Sequence, residues 1–319
     1  MRYKKKVRTS VLERFRTEGS PKGTIMNDLY LIAGISKQGH HQSVIKLSEE
    51  VAKEPAFLGL MHEVRQMHPG MGLRTMYDQF QPQGIGRDAF IALGIREGYR
   101  LRAYENPQTT TRSVKNRRFP NLLAGRRFTD VNQLWSSDIF YFPLNGRHYY
   151  GILIMDVYSR RIIGWSMADN MRAENNIKAL QRAFTLRGVN HYQGKLIHHS
   201  DRGSQYVSDD YTESLSDRGV LISMCKEVLE NAHIERANGT IKNDYLRLWP
   251  INTERQLFEA MERAANNYNL RKHKSLGMTP IDFENHIKEL TIENRVEMEI
   301  FIYKQNVENP LQLQLNLNS

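Results

Sequence analysis

Through the first hundred residues apolar side chains recur every three or four positions. From residue 134 they switch to short runs and alternations. The first regime predicts helices. Ser10 to Glu18 is closed by Gly19-Ser20-Pro21, and Thr24 to Ile35 turns on Ile25, Leu29, Leu31 and Ile32. Ser43 to Met67 carries Val44, Leu47, Val51, Leu58, Met61 and Val64 and is stopped by Pro69-Gly70. Gly72 to Phe80 and Arg87 to Leu93 are shorter helices joined by the turn Gln81 to Gly86. That spacing suits a helix-turn-helix, and equally a purely structural corner.

The second regime predicts a sheet. Leu134 to Phe142 reads as an aromatic-rich strand, and Asn145-Gly146 is a two-residue hairpin turn. Tyr149 to Met155 is apolar almost throughout, as a buried central strand would be. Tyr158-Ser159-Arg160 turns the chain into a third strand, Arg161 to Met167. Helix Ala173 to Leu186, strand Lys195 to Ser200, helix Ser208 to Arg218, strand Val220 to Met224 and a long helix Asn231 to Leu248 follow. The order is that of a mixed α/β sheet with helices on its faces. Between the regimes, Pro107, Thr109 to Thr111 and Pro120 mark a linker. The expected divisions are a helical region 1–105, a basic linker 106–130, an α/β core 131–250 and a helical tail 251–319 whose end, after residue 305, is rich in Asn and Gln.

Composition narrows the class. The chain of 319 residues is 40% hydrophobic and 25% charged, as a globular protein is. It has no apolar run near the roughly 18–20 residues of a membrane span. Its basic N-terminus lacks the apolar stretch of a secretory signal. The single cysteine, Cys225, excludes an internal disulfide. A cytoplasmic protein is expected. The net charge of +10 favours a polyanionic partner. Basic residues cluster at Arg2 to Arg8 and again at Arg112, Lys115, Arg117, Arg118, Arg126 and Arg127. Arg112, Lys115, Arg117 and Arg118, with Arg74 and Arg87 of the paired short helices, are candidate DNA contacts.

Three acids stand out by position. Asp138 lies inside the first strand, where a carboxylate is costly unless paired or metal-bound. Asp201 follows the fourth strand, in Ser200-Asp201-Arg202-Gly203, where α/β sheets present ligand groups. Glu235 lies on the last helix. There Asn231, Glu235, Asn238 and Lys242 fall on one stripe, beside an apolar stripe of Ile234, Ala237, Ile241, Tyr245 and Leu248. Arg202, Asn231, Asn238 and Lys242 complete the candidate DNA contacts. Three carboxylates without a Cys/His set suit Mg²⁺ or Mn²⁺. A pair of such ions can activate an attacking oxygen and stabilise the leaving one in displacement at phosphorus. Each acid alone could equally be a salt-bridged or surface group.

The segments around Asp138, Asp156-Val157-Tyr158-Ser159-Arg160, His199-Ser200-Asp201-Arg202-Gly203 and Asn231-Ala232-His233-Ile234-Glu235 resemble the catalytic core of insertion-sequence transposases related to retroviral integrases. Tyr268-Asn269, Arg271, His273, Leu276-Gly277 and Thr279-Pro280 resemble that family's C-terminal signature. Gly34 to His41 resembles the start of the catalytic frame in the subgroup with two overlapping frames, in which an upstream frame can supply a fusion partner. The resemblance runs from about residue 30 to 285 and implies several things. The fold would be a ribonuclease-H-like mixed five-stranded sheet flanked by helices, with a helical N-terminal DNA-binding region and a helical C-terminal tail. Asp138, Asp201 and Glu235 would form an acid triad holding Mg²⁺, with Mn²⁺ as substitute and two ions in all. The substrate would be double-stranded DNA, both element ends and target. The reaction would be end cleavage by water followed by 3′-hydroxyl strand transfer without a covalent enzyme intermediate. The working form would be a homo-oligomer. One departure stands out. Only 33 residues separate Asp201 from Glu235, two fewer than is usual in the family, and the shortfall falls within Cys225 to Glu230. Glu227 and Glu230 are the fallback third ligands. A catalytically impaired DNA-binding regulator and a simple ribonuclease-H-like nuclease are the competing functions.

Other conspicuous residues read as structural. Asp156 suits a turn or salt bridge. His198 and His199 alternate along a strand and point to opposite faces. Trp135 and Trp165 suit the core.

Overall fold

The computed structural model describes residues 2–19, 24–101, 119–225 and 231–299. Arg112, Lys115, Arg117, Arg118, Glu227, Glu230 and the Asn- and Gln-rich end lie outside them. The chain divides into two units, one of residues 1–64 and 76–100, the other of 65–75 and 101–319.

Five helices precede the sheet: α1 (Arg2–Glu18), α2 (Met26–Ala33), α3 (Lys37–Met67), α4 (Leu73–Phe80) and α5 (Arg87–Arg96). All five segments read as helical are helical. Both α1 and α3 start earlier than expected, at Arg2 against Ser10 and at Lys37 against Ser43. α3 passes straight through Pro55, with no break there. In the first unit His40 Nε2 meets Thr9 O at 3.2 Å, and its ring lies 5.3 Å from that of Tyr30. Further along, Arg96 pairs with Glu54 at 2.6 Å and Tyr77 packs on Phe90. Segment 65–75 belongs to the second unit. Asn267 and Trp249 donate to the carbonyls of Met67 and Gln66, and Gly70 N–H donates to Asp244 O. A Cβ at Gly70 would overlap Cα and Cβ of Asp244, so this close approach requires glycine.

In the second unit β1 (Arg127–Phe128) precedes the main sheet of β2 (Leu134–Leu144), β3 (Arg147–Asp156), β4 (Arg161–Ala168), β5 (Ile197–Ser200) and β6 (Leu221–Met224). Their order is β4-β3-β2-β5-β6. β2–β3 and β3–β4 are antiparallel, whereas β2–β5 and β5–β6 are parallel. Asn145 and Gly146 both take positive φ, 50° and 75°, as the two-residue hairpin requires. A second small ladder pairs β1 with β7 (Met298–Glu299).

Alternation along β2 sends its side chains to two cores. Phe140 and Phe142 pack with Ile234, Ala237, Ile241 and Tyr245 on one face, under α8 (Ala232–Thr240) and α9 (Glu254–Asn269). Trp135 and Ile139 pack on the other, with α6 (Ala173–Arg187) and α7 (Asp209–Ser216). Each fully buried Leu, Ile or Phe contributes about 1.5–3 kcal/mol, so this two-sided cover is the main force fixing the strand. β4 carries Gly164 where α6 crosses. A Cβ there would overlap Ala179 O.

Two expectations need correction. Helix Asn231 to Leu248 is α-helical only over Ala232–Thr240 and continues as a π-helical turn, Ile241–Leu246. The wider turn keeps Ile241, Tyr245 and Leu246 all facing the core, which an α-helix would splay apart. The expected linker 106–130 is packed over its second half. Leu123 and Phe128 are buried, and Leu122 N–H donates to Ser223 Oγ at 2.9 Å. The segment read as a helical tail is helical, and its helices pack on the sheet. Leu257, Met261, Ala264 and Tyr268 of α9 belong to the sheet's core, and α10 (Pro280–Lys288) buries Ile287 beside Leu134. Among the described residues no helix is long and apolar enough to cross a membrane.

Candidate active site

The parallel ladder of β2 and β5 ends at the pair Ser137–Ser200. Asp138 is the next residue of β2 and Asp201 the first residue beyond β5, so two carboxylates follow one ladder at the centre of the sheet. Ser137 faces the α6–α7 side, where its hydroxyl meets Tyr206 OH at 3.0 Å. Alternation therefore turns Ser136 and Asp138 to the α8 side. There α8 is fastened by two asparagines. Asn231 accepts a short hydrogen bond from Ser136 Oγ and donates to Ser137 O at 3.2 Å. Asn238 Nδ2 donates to Asp138 Oδ2 at 2.8 Å. Glu235 lies between these two anchors, on an exposed part of the helix.

Asp138 is the acid on which the others act. The half-buried Asp138 carboxyl is pushed up to about 7, first by burial and then by the negative charge of Asp201, with Glu235 adding to it. The Ile139 N–H and the Asn238 amide oppose that rise. Loss of hydration also raises Asp201, against a hydrogen bond from Gly203 N–H of 3.0 Å, and raises Glu235. Among the described residues no arginine or lysine balances Asp138. Asp138 feels the charge of the other two acids, which do not close into a cage around it. Among the described residues no three His, Cys, Asp or Glu side chains are grouped tightly enough to hold a metal ion. The donor set, oxygen only and self-repelling, has the chemistry that a hard divalent cation requires.

Several candidate DNA contacts are placed differently from expectation. Asn231 and Asn238 are buried and turned inward, because their amides tie α8 to β2. They are corrected from DNA contacts to anchors. Arg202 is half-buried and spends its Nε on Cys225 O at 2.8 Å. Lys242 is half-buried in the π-helical turn, and burial lowers its pKa. Arg74 and Arg87 are exposed.

Residues read as structural behave so. Asp156 is fully buried and closes the β3–β4 turn by accepting from Tyr158 and Ser159 N–H, while Arg187 Nη2 pairs with it at 3.0 Å. His198 meets Tyr211 OH at 3.0 Å, and His199 meets Cys225 Sγ and Ser223 Oγ on the other side. Trp135 packs in the core, tilted against Phe184 and edge-on to Tyr192. Sequence reasoning misses the charge cluster around Asp156, because Arg187 and the Glu284 that shares it lie far along the chain. It also misses the work of Asn269, whose side chain bonds both N–H and C=O of Ile162 where the β3–β4 register slips. The Tyr268-Asn269 signature is the available clue.

Residues 129–227 match the integrase core domain family, and the mixed five-stranded sheet they contribute to, flanked by helices, has the ribonuclease-H-like fold. A 31 kDa protein of insertion element IS600 from Shigella sonnei is 31% identical over 258 residues, covering 77% of this chain and 93% of that protein. The transposase for element IS904 of Lactococcus lactis is 30% identical over 173 residues, 52% of this chain and 67% of its own length. The chain belongs to the insertion-sequence transposases that carry this core. Among solved structures, the catalytic core domain of HTLV-2 integrase in complex with magnesium aligns with a TM-score of 0.40 at 21% identity, over 49% of this chain and 97% of that one.

Proposed function

We propose that this transposase cleaves DNA at the ends of its element and joins the freed 3′-hydroxyl to target DNA, with Asp138, Asp201 and Glu235 as the acid triad. The observation that supports the reading is Asp138 at the end of its ladder with β5, tied to α8 by Asn238 and raised to about 7 by burial and by the charges of Asp201 and Glu235, with no cation among the described residues to answer it. Two Mg²⁺ ions, or Mn²⁺ in their place, are the cofactors the triad would take; bound there, they would activate the attacking oxygen and stabilise the leaving one. The protein's own part is to hold oxygens on a rigid frame. The central strand pair fixes Asp138 and Asp201, and the Asn231 and Asn238 anchors fix the helix bearing Glu235. Arg74, Arg87, Arg202 and Lys242 would meet DNA phosphates, as would Arg112, Lys115, Arg117 and Arg118, in a homo-oligomer holding two ends. Relatives named as transposases weigh against a regulator or a simple nuclease.

The test uses the full chain, Mg²⁺ and DNA carrying the element's own termini. Asp138→Asn, Asp201→Asn and Glu235→Gln should each lower end cleavage by at least about a thousandfold while leaving the protein folded and DNA-binding. Retained cleavage in any of the three would remove that residue from the triad.

A further inference from the structure

Asn231 and Asn238 share one stripe of the helix and both are nearly inaccessible, at 4% and 5% exposure. They differ in what their amides do. Asn231 uses both ends, accepting from Ser136 and donating to Ser137 O. Asn238 uses one. Its Nδ2 donates to Asp138, while its Oδ1 is buried with no hydrogen-bond partner among the described residues. Reversing the amide would set its oxygen against the carboxylate, so the charge of Asp138 dictates which end faces it. Buried amide oxygens lacking a donor are rare in folded proteins. This one lies beside one acid of the triad, three residues along the helix from another. A ligand that brings its own donors would satisfy it. Hydrated Mg²⁺ is such a ligand, because it gives up its waters reluctantly when bound by protein.

We infer that Asn238 is a positioning residue for Asp138 and that its free oxygen accepts from the water carried by a hydrated divalent cation. The inference rests on the triad being the cation's site. Asn238 thus couples the two halves of that site: one amide orients a carboxylate on β2 and reads the hydration of the ion from α8.

The experiment follows Mn²⁺ binding to the full chain by electron paramagnetic resonance, without DNA, alongside thermal melting of the metal-free protein. Asn238→Leu keeps the volume and removes both polar ends. It should weaken Mn²⁺ binding about 10–100-fold, the usual effect of losing a hydrogen-bond partner of a metal-ligating carboxylate. The metal-free protein should melt no lower than the parent, since an unsatisfied oxygen has been removed. A residue needed only for packing would do the reverse, lowering the melting temperature and leaving Mn²⁺ affinity unchanged. Asn238→Ser, too short to reach Asp138, should weaken Mn²⁺ similarly and serves if the leucine variant does not fold. Asp138→Asn is the control. If it abolishes Mn²⁺ binding while both Asn238 variants bind within about threefold of the parent, the inference is overturned and the triad stands. If Asp138→Asn binds Mn²⁺ as the parent does, the triad reading itself falls.

Discussion

Asp138 and Asp156 are two aspartates on neighbouring antiparallel strands, and burial pushes the carboxyl of each upward. Their surroundings answer in opposite ways. Around Asp156 stand Arg187 and the backbone N–H groups of Asn132, Tyr158 and Ser159. Glu284 joins the same cluster at 2.7 Å from Arg187 and is answered in turn by Arg161 at 2.6 Å and by Ser159. Around Asp138 stand two more acids, and among the described residues the Ile139 N–H and the Asn238 amide oppose the rise. One cluster is neutralised from within and locks α6 and α10 to the β3–β4 turn. The other leaves its charge unanswered among the described residues, which is what the proposed role in holding cations requires. Three acids are therefore not informative by number; the lack of an arginine beside them, among the described residues, is.

The harshest way to break the comparison is to make the first cluster resemble the second. Arg187→Met leaves Asp156 and Glu284 buried and facing one another without their shared guanidinium. Removing one partner of a buried ion pair costs about 3–5 kcal/mol, which for a unit of this size lowers the melting temperature by about 6–20 °C. The loss should shrink on acidification. In the variant both carboxyls are raised above their unfolded values, so their penalty is absent at low pH and grows as the pH rises through the unfolded range near 4. Calorimetry at pH 5 and pH 8 reads both effects. An equal loss at the two pH values would mean the cluster is not held by charge.

Much of this contrast is legible in the order of residues, and the remainder has a physical reason to be hidden. The alternation of β2, the Asn145-Gly146 turn and the apolar run of β3 follow from local chemistry, and all three strands of that hairpin and its neighbour form where expected. The acids can be singled out because strand interiors and strand ends penalise carboxylates. What answers them cannot. Arg187 reaches Glu284 across 97 positions, and Asn269 reaches Ile162 across 107. Such long-range pairs leave no periodic trace. The stripe of Asn231, Glu235 and Asn238 is indeed one face. Its direction differs from expectation because a polar stripe beside an apolar one looks like a solvated edge, and only the packed sheet shows that Ser136 and Asp138 draw both asparagines inward. The π-helical turn at Ile241 is invisible for a similar reason. It is imposed by the core and not by helix propensity.

A gentler change runs the other way. Asp138→Asn removes the unanswered charge while keeping the amide contact to Asn238 within reach. The folded carboxyl titrates at about 7 against 3.8 when free, so the native chain holds a proton between these values that the unfolded chain releases. Its contribution to stability is present below pH 4 and is lost as the pH rises to 7. The asparagine variant escapes that loss. Allowing for partial solvent access, it should be more stable than the parent by about 1–2 kcal/mol at pH 8 without metal, and should match it near pH 4. Saturating Mg²⁺ should narrow or reverse the gap, because only the parent gains from binding. A variant no more stable at pH 8 than at pH 4, relative to the parent, would mean Asp138 is not under strain.

The smallest effect lies at the edge of the neutral cluster. Arg161 contacts the same Glu284 oxygen as Arg187, yet its side chain is 22% exposed where that of Arg187 is 7%. Glu284 remains paired with Arg187 and with Ser159 Oγ when Arg161 is lost. Its pKa is lowered from 4.5 despite burial, first by Arg187, so its contribution is present above pH 4.5 and is lost as the pH falls through the lower folded value. Arg161→Gln should therefore cost only about 0.5–1 kcal/mol at pH 7, as for other partly exposed pairs, and less below pH 4. Combined with Arg187→Met the two costs should not add, because both variants act on one carboxylate. A double-mutant cycle read by urea unfolding gives that coupling directly. Additive costs would show that Arg161 supports the β3–β4 turn by some route other than Glu284, and that the neutral cluster is smaller than the contrast with Asp138 requires.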